Sequence, residues 1–589
     1  MGNQAIALGA IRAGVGVVTG YPGTPSSEIL ETVARRNPGD IYVEWSVNEK
    51  SAMEVAAGAA YTGTRTLVTM KQVGLNVASD PLMSLAYVGV KGGMVVAVAD
   101  DPGPISSQTE QDTRQFAIFS KLPVFDPSSP EEAYLMIQDA FEYSEKYATP
   151  VLFRPTTRVC HSCAVVDVDE NRKTIHAEGF IKDSKWVIFP RLSYENHLKI
   201  EARQPVLAED FSSYHYNIVT GSGTKGIAAG GVSYAYANEA LTHMQGDYKM
   251  FKVSTPNPFP EKLALEFLQG LEEVLVIEEL DPVIEKALVY LCGKHHLPVK
   301  IYGKLTQHMQ IAGENTVDAI AQALEKFFNQ SFWKAQPAEA LPALPVRPPV
   351  LCAGCPHRAA FYAVKQAMQG RKAVFSGDIG CYTLGNASPL EMVDTCLCMG
   401  AGITLAQGLK RGEPDAVNFA FIGDSTFFHT GIPGVINAVY NETDIVLIVL
   451  DNSTTAMTGH QPHPGTGKTM MGNVTEKISI RRILEAVGVK HVATCNPMQL
   501  EQAVEAVHEA AAVQGVSAII FEYPCIAICK PLPVYVVDEK KCTKCKHCIS
   551  ELGCPAIVEI GTQIKIDLAL CYGCSICVQV CPFDAIGGG

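Results

Sequence analysis

No apolar run in the 589-residue sequence approaches the ~18 residues that span a bilayer, and the longest, such as 445–450, are strand-sized. The first residues lack a basic start followed by an apolar stretch, so no signal peptide is expected and the protein reads as cytoplasmic. Basic residues are in deficit, 47 against 61 acidic ones, and the resulting charge of −14 argues against nucleic acid as a partner. Charged residues of both signs reach only 18% while apolar ones make up 47%, which excludes a disordered or fibrous chain. A soluble chain remains, long enough for roughly three to five domains.

Cysteine is not scarce. There are 19, and eight fall between positions 542 and 581. A cytosolic chain does not keep so many as disulfides, so dense local spacing points to metal.

Short apolar runs at 41–45, 66–70 and 94–99 alternate with Ala-rich helical stretches at 49–61 and 77–87. This alternation predicts α/β folding with a doubly wound parallel sheet and ligands at the carboxyl ends of its strands. The segment 167–209 is more charged and irregular, as a connector would be. A second βα block, with strands near 227–231 and 274–278, runs to about 328. Five prolines between 337 and 349 mark a linker. A third α/β block follows, with strands expected at 373–375, 417–422, 445–450 and 518–521.

The tail contains the one internal repeat: CTKCKHC at 542–548 returns as CYGCSIC at 571–577. Cys571, Cys574, Cys577 and Cys581-Pro582 match the C-x2-C-x2-C-x3-C-P spacing of bacterial ferredoxins. The first half, Cys542, Cys545, Cys548 and Cys554-Pro555, has five residues before its last Cys instead of three. In this topology the fourth Cys of each run serves the other cluster. One [4Fe–4S] cluster then takes Cys542, Cys545, Cys548 and Cys581, and the other takes Cys571, Cys574, Cys577 and Cys554. The alternative is a pair of structural zinc sites.

Gly423-Asp424-Ser425 follows a buried run, and Asn452 ends the next one after 26 intervening residues. A carboxylate and an amide oxygen at neighbouring strand ends can hold Mg2+, a hard ion that keeps phosphate oxygens in its shell. The unit is similar to the GDG-x(24–28)-N signature of thiamine diphosphate enzymes, with Ser425 where Gly is usual. Asp424, the Asn452 side chain and the Thr454 carbonyl would hold the ion; a coincidental α/β turn is the rival reading. Thiamine chemistry also needs a carboxylate at the aminopyrimidine. Glu49, opening a helix just after a strand, is placed for that, although by itself it would be only a favourable helix-dipole partner.

Several further motifs carry a family resemblance. They are YPGTPS at 21–26, NEKSAMEVAAGAA at 48–60, DPGPISSQTEQDTR at 101–114, LCAGCPHR at 351–358, GDIGCYTLG at 377–385 and DTCLCMGAG at 394–402. In this order, with the tail, they resemble the large (alpha) subunits of thiamine-dependent 2-oxoacid:ferredoxin oxidoreductases, the indolepyruvate type in particular. The resemblance implies a pyrimidine-binding domain at 1–165, a connector at 166–209 and a transketolase C-terminal-like domain at 210–330. A Pro-rich linker at 331–349, a diphosphate- and Mg-binding domain at 350–529 and an α+β two-cluster ferredoxin domain at 530–589 complete it.

The roles implied are equally specific. Glu49 looks like the cofactor-activating carboxylate, Thr24 the substrate hydrogen-bond donor and Arg114 the partner of the 2-oxoacid carboxylate. His357, Gly380, Cys398, Met399, Gly423, Asp424, Ser425, Asn452, Thr454, Met457 and Thr458 would contact the cofactor. Cys352, Cys355, Cys381 and Cys525 resemble the ligands of a third [4Fe–4S] cluster beside thiamine diphosphate, with Cys529 as rival fourth ligand and ordinary buried cysteines as the plainer reading. The reaction implied is oxidative decarboxylation of arylpyruvates to aryl-acyl-CoA and CO2, with electrons leaving to ferredoxin. Pyruvate or another 2-oxoacid is the alternative substrate; a non-oxidative decarboxylase and a pure electron-transfer subunit are the rival classes. No G-x-G-G-x-G-type loop supplies the gamma-type domain the superfamily uses, which implies a smaller beta subunit in a heterotetramer of two large and two small chains.

Overall fold

Thr66–Lys71 and Met94–Ala99 are buried on both faces almost without interruption, the pattern of strands interior to a parallel sheet. In the computed structural model they are β3 and β4 of a six-stranded parallel sheet, joined by β1 (Val17–Gly20), β2 (Tyr42–Trp45), β5 (Val124–Phe125) and β6 (Val151–Phe153). The order is β2-β1-β3-β4-β6-β5. The strand direction of winding reverses between β1 and β3, which opens a crevice beyond their carboxyl ends. The structure describes residues 1–589 except 170, 334–343, 346 and 589, so most of the proline-rich stretch expected as a linker lies outside the described residues. The chain divides into two compact units, Met1–Ala340 and Leu341–Gly589.

The first unit contains a second sheet: β7 (Ile218–Gly221), β8 (Lys225–Gly230), β9 (Lys249–Val253), β10 (Glu273–Ile277) and β11 (Lys300–Tyr302), ordered β11-β10-β8-β9-β7. All pairs are parallel except the edge pair β7–β9. Between the sheets, the segment expected to be an irregular connector ends in a 23-residue helix, Pro190–Ser212. Only Ile200, Leu207 and Phe211 of that helix are buried. A stripe this thin on an otherwise charged sequence leaves almost no helical period to read.

The second unit is built on β12 (Ala373–Ser376), β13 (Val417–Gly423), β14 (Ile445–Asp451), β15 (His491–Cys495) and β16 (Val516–Glu522), a parallel sheet ordered β12-β13-β14-β16-β15. The cysteine-rich tail follows as two antiparallel strand pairs and two short helices, His547–Ser550 and Ile576–Val580. Each helix is entered through a residue of positive φ, Lys546 and Ser575, which occupy the same place in the two sequence repeats. The tail does not close a core of its own. Leu552, Ile557, Ile576, Val580 and Ile586 are buried in one cluster with Phe361, Phe419 and Phe421 of the sheet domain, as a ~60-residue segment with little apolar mass requires. No helix among the described residues is long and apolar enough to cross a membrane.

Candidate active site

Thr24, Glu49 and Lys71 all sit at carboxyl ends of the first sheet, after β1, β2 and at the end of β3. Asn48 caps the helix Glu49–Tyr61 by accepting the Ser51 N–H at 2.8 Å, which puts Glu49 in its first turn, 5% exposed. Its carboxylate fits against Gly74: a Cβ there would stand 2.6 Å from Glu49 Oε1. Glycine at 74 is therefore a condition for this carboxylate position, since a Cβ there would force the Glu49 side chain to shift. Lys71 donates to the Ser106 carbonyl at 3.1 Å. Burial pushes its ammonium below the usual lysine range, against the pull of Asp101 and Glu49. Ser106 Oγ in turn donates to the carbonyl of half-buried Thr24 at 3.1 Å.

Arg114 is not at this crevice's disposal. It is 1% exposed and sits between the two sheets of the unit. Nε and Nη2 fork onto Asp112 at 2.9 and 2.6 Å, Nη1 meets Glu278 at 2.9 Å, and Nη2 also reaches the carbonyls of Glu279 and Asp281. The guanidinium expected at a substrate carboxylate is a clamp holding β10 to the first sheet domain. Glu278, Glu279 and Asp281 lie more than 160 positions away, so no local pattern announces them.

In the second unit, β13 and β14 are adjacent, with Gly423 opposite Leu450, so Asp424 and Asn452 leave neighbouring strand ends. Asp424 is 3% exposed and its Oδ1 accepts the Ser425 N–H at 2.8 Å. His463 Nε2 stands 3.1 Å from Asp424 Oδ2, with both side chains buried. Burial resists ionisation of Asp424, but His463 and the Ser425 N–H hold its carboxyl below the usual carboxylate range, in the charged form that a metal cation needs. Asn452 Oδ1 accepts only a long bond from the Thr454 N–H, 3.3 Å, and its amide lies 3.4 Å from His357 Nε2. Burial drives the His357 imidazole down to about 4, opposed by Asp424, so it is neutral at physiological pH. Asp451 is pushed up to about 7 by burial and by Asp424. These residues fit the magnesium and diphosphate end of thiamine diphosphate.

The remaining expected contacts divide. Gly380 and Gly423 both make room for the Tyr382 ring, which a Cβ would meet at 2.4 and 2.6 Å. The Met399 carbonyl accepts from Thr430 Oγ at 2.7 Å, Thr458 Oγ donates to Gln461, Ser425 Oγ accepts from Thr455 at 2.9 Å, and Cys398 and Met457 are exposed. Sequence reasoning missed Gly74, Lys71, Tyr382 and His463. Of these only His463, in the turn-rich TGHQPHPG, had a local signal.

The tail thiols ring two cavities. Cys542, Cys545, Cys548 and Cys581 line one; Cys554, Cys571, Cys574 and Cys577 line the other, together with Cys355. Among the described residues no three His, Cys, Asp or Glu side chains converge on one point; the thiols surround a void, which suits a cluster. Burial pushes Cys577 up to about 12 and Cys548 to about 11, so metal must displace protons on binding. Cys352 and Cys525 are close enough to raise the Cys381 thiol, which reaches about 11, first through burial and then through Cys525 and Cys352. Cys355 is pushed up to about 12, chiefly by burial, with Cys352 adding to it. Cys525 also feels Cys529. The inner cavity faces the sheet domain, where Tyr572 packs on Gly354, 2.7 Å from a Cβ placed there. The outer one is lined by exposed Cys545 and Lys546, and its loop also carries exposed Lys540, Lys541 and Lys544.

Three family models match the chain: the thiamine diphosphate-binding domain of pyruvate flavodoxin/ferredoxin oxidoreductases over residues 8–206, the C-terminal thiamine pyrophosphate-binding domain over 378–521, and the 4Fe-4S binding domain over 564–587. Indolepyruvate oxidoreductase subunit IorA of Methanothermobacter marburgensis is 42% identical over 100% of this chain and 96% of its own. That of Pyrococcus abyssi is 41% identical over 99% and 96%. The solved 2-oxoglutarate:ferredoxin oxidoreductase from Magnetococcus marinus overlays with a TM-score of 0.42 at 19% identity, over 55% of this chain and 64% of that one.

Proposed function

The chain belongs to the indolepyruvate oxidoreductase IorA family of thiamine diphosphate-dependent 2-oxoacid:ferredoxin oxidoreductases, and we propose that it acts on aryl 2-oxoacids, releasing CO2 and forming the aryl-acyl-CoA. The observation that carries the oxidative reading is that one core joins the Asp424–Asn452 strand ends to both thiol-ringed cavities. A non-oxidative decarboxylase needs no such tail, and a pure electron carrier needs no such strand ends.

In this reading Asp424, the Asn452 side chain and the Thr454 carbonyl hold Mg2+, with His357 and His463 facing the same carboxylate and amide. Glu49 holds and returns a proton at the aminopyrimidine nitrogen, from a site that Gly74 keeps open. Thiamine diphosphate bound here would supply the carbanion and electron-sink chemistry that decarboxylation of a 2-oxoacid needs. Thr24 offers its hydroxyl to the substrate. With Arg114 engaged between sheets, Lys71 is a cation that this end of the sheet offers to a carboxylate. Two [4Fe–4S] clusters on the tail thiols and a third on Cys352, Cys355, Cys381 and Cys525 supply one-electron acceptors. Ferredoxin docks at the lysine-bearing outer loop, and a smaller subunit carries the gamma-type domain, in a heterotetramer.

The test is CoA-dependent viologen reduction under anaerobic conditions, across a panel of arylpyruvates, pyruvate and 2-oxoglutarate, with and without the co-expressed smaller subunit. Preference for the arylpyruvates, with both subunits required, is expected. Turnover confined to pyruvate would refute the aryl reading, and full activity from the lone chain would refute the two-subunit one.

A further inference from the structure

Arg358 is the third residue of the helix Pro356–Ala367 and is 6% exposed, yet the thiamine end of the unit makes no use of it. Its Nη1 donates to the carbonyls of Leu552 and Gly553 at 2.9 and 2.8 Å, and its Nη2 to the carbonyl of Leu351 at 2.5 Å. Leu351 immediately precedes Cys352, and Gly553 immediately precedes Cys554. One guanidinium thus pins the backbone leading into a thiol of the sheet domain and a thiol of the tail.

The second of these anchor points is where the tail departs from regular ferredoxin spacing, with two extra residues between Cys548 and Cys554. That longer loop needs an outside hold. Gly553 has a φ of +61°, and a Cβ there would stand 2.3 Å from Pro389 Cδ, so the loop is pressed against the sheet domain at the residue Arg358 grips. The arginine also lines the cavity ringed by Cys554, Cys571, Cys574 and Cys577. Its Nε is buried and has no hydrogen-bond partner among the described residues. A buried cationic donor without an acceptor is costly, and a cavity of thiolates filled by an anionic cluster supplies one in sulfur.

We propose that Arg358 is a positioning residue for the inner cluster: it sets Cys554 as the fourth ligand beside Cys571, Cys574 and Cys577, and its Nε–H donates to that cluster. This rests on the reading that the tail thiols hold [4Fe–4S]. Reduction makes a cluster more negative, so a fixed buried cation and a donated hydrogen bond stabilise the reduced form and raise its midpoint potential. The outer cluster, bound by Cys542, Cys545, Cys548 and Cys581, lies beyond this contact and is untouched.

The full-length chain, purified anaerobically, decides the matter by iron content and an EPR-monitored redox titration. Cys554→Ser identifies the inner signal by altering it alone. Arg358→Gln, without charge, is expected to lower the midpoint of that same signal and leave the outer one in place. Arg358→Lys keeps the charge but cannot span three carbonyls, so it should lose part of the inner cluster's iron or change its line shape. Wild-type iron and an unshifted inner signal in Arg358→Lys would overturn the positioning role even if the Gln variant does not fold. A wild-type chain without iron, or a Cys554→Ser variant with unaltered signals, would refute the cluster reading itself rather than the role of Arg358.

Discussion

Cys525 donates its backbone N–H to the carbonyl of Asn452 at 3.0 Å. A candidate cluster thiol and a candidate magnesium ligand are therefore one hydrogen bond apart, on segments that leave the paired strands β14 and β16. An electron acceptor built on Cys525 would be anchored to the diphosphate end of the cofactor by main chain alone.

That proximity makes the third cluster measurable. Cys381→Ser in the full chain should lower iron from about twelve to about eight per chain, while Mg2+–thiamine diphosphate still binds. Truncating the tail is a poorer test, because it would expose the shared core around Ile576 and Phe361. Unchanged iron in Cys381→Ser would return the four residues to ordinary cysteines without a metal.

Glu49→Gln keeps shape but not the proton, and turnover should fall on the order of a hundredfold or more. Gly74→Ala should reproduce much of that loss by displacing the carboxylate, since its Cβ would come within 2.6 Å of Oε1. The two effects should not add, because each removes the same function. Additive losses in the double variant would show that Gly74 matters for something else.

Asp424→Asn should abolish the rise in thermal midpoint that Mg2+ and thiamine diphosphate confer together. At a ligand concentration a hundred times Kd that stabilisation is about 2.7 kcal/mol. Differential scanning fluorimetry reads it without any turnover, and a normal shift in the variant would move the metal site elsewhere.

Arg114→Met leaves Asp112 and Glu278 buried without their cation, which should cost about 3–5 kcal/mol of stability. The thermal midpoint is the readout. A stable variant whose only defect is a raised KM for the 2-oxoacid would restore Arg114 to the substrate.

Reversing charge at Lys540, Lys541 and Lys544 should raise the KM for ferredoxin and weaken its dependence on ionic strength, with viologen reduction unchanged. No ion pair is formed by these three among the described residues, whereas Lys546 meets Glu559 at 2.8 Å. Equal losses with both acceptors would place the defect inside the protein.

Much of the architecture was legible in the sequence. The run at 94–99 is a strand over those same residues, and the helix 49–61 begins and ends as its pattern predicts. Such features depend on neighbours within a few positions, where apolar period, a capping Asn48 or a paired cysteine spacing is written directly into the chain. The thin-striped helix Pro190–Ser212 was not legible, because three buried positions in 23 residues carry too little signal.

The site was legible in part for the same reason. Asp424, Asn452 and the tail cysteines belong to local motifs, so the residue types and their spacing were determined by the sequence alone. Tertiary structure decided what those residues face: Gly74 beneath Glu49, His463 at 3.1 Å from Asp424, Arg358 between two thiol-bearing segments, and Arg114 drawn into a clamp with Glu278 instead of a ligand crevice. Each is a contact between positions far apart in the chain, fixed by burial and by the need to pair charges and hydrogen-bond donors once water is excluded, and no local period encodes it.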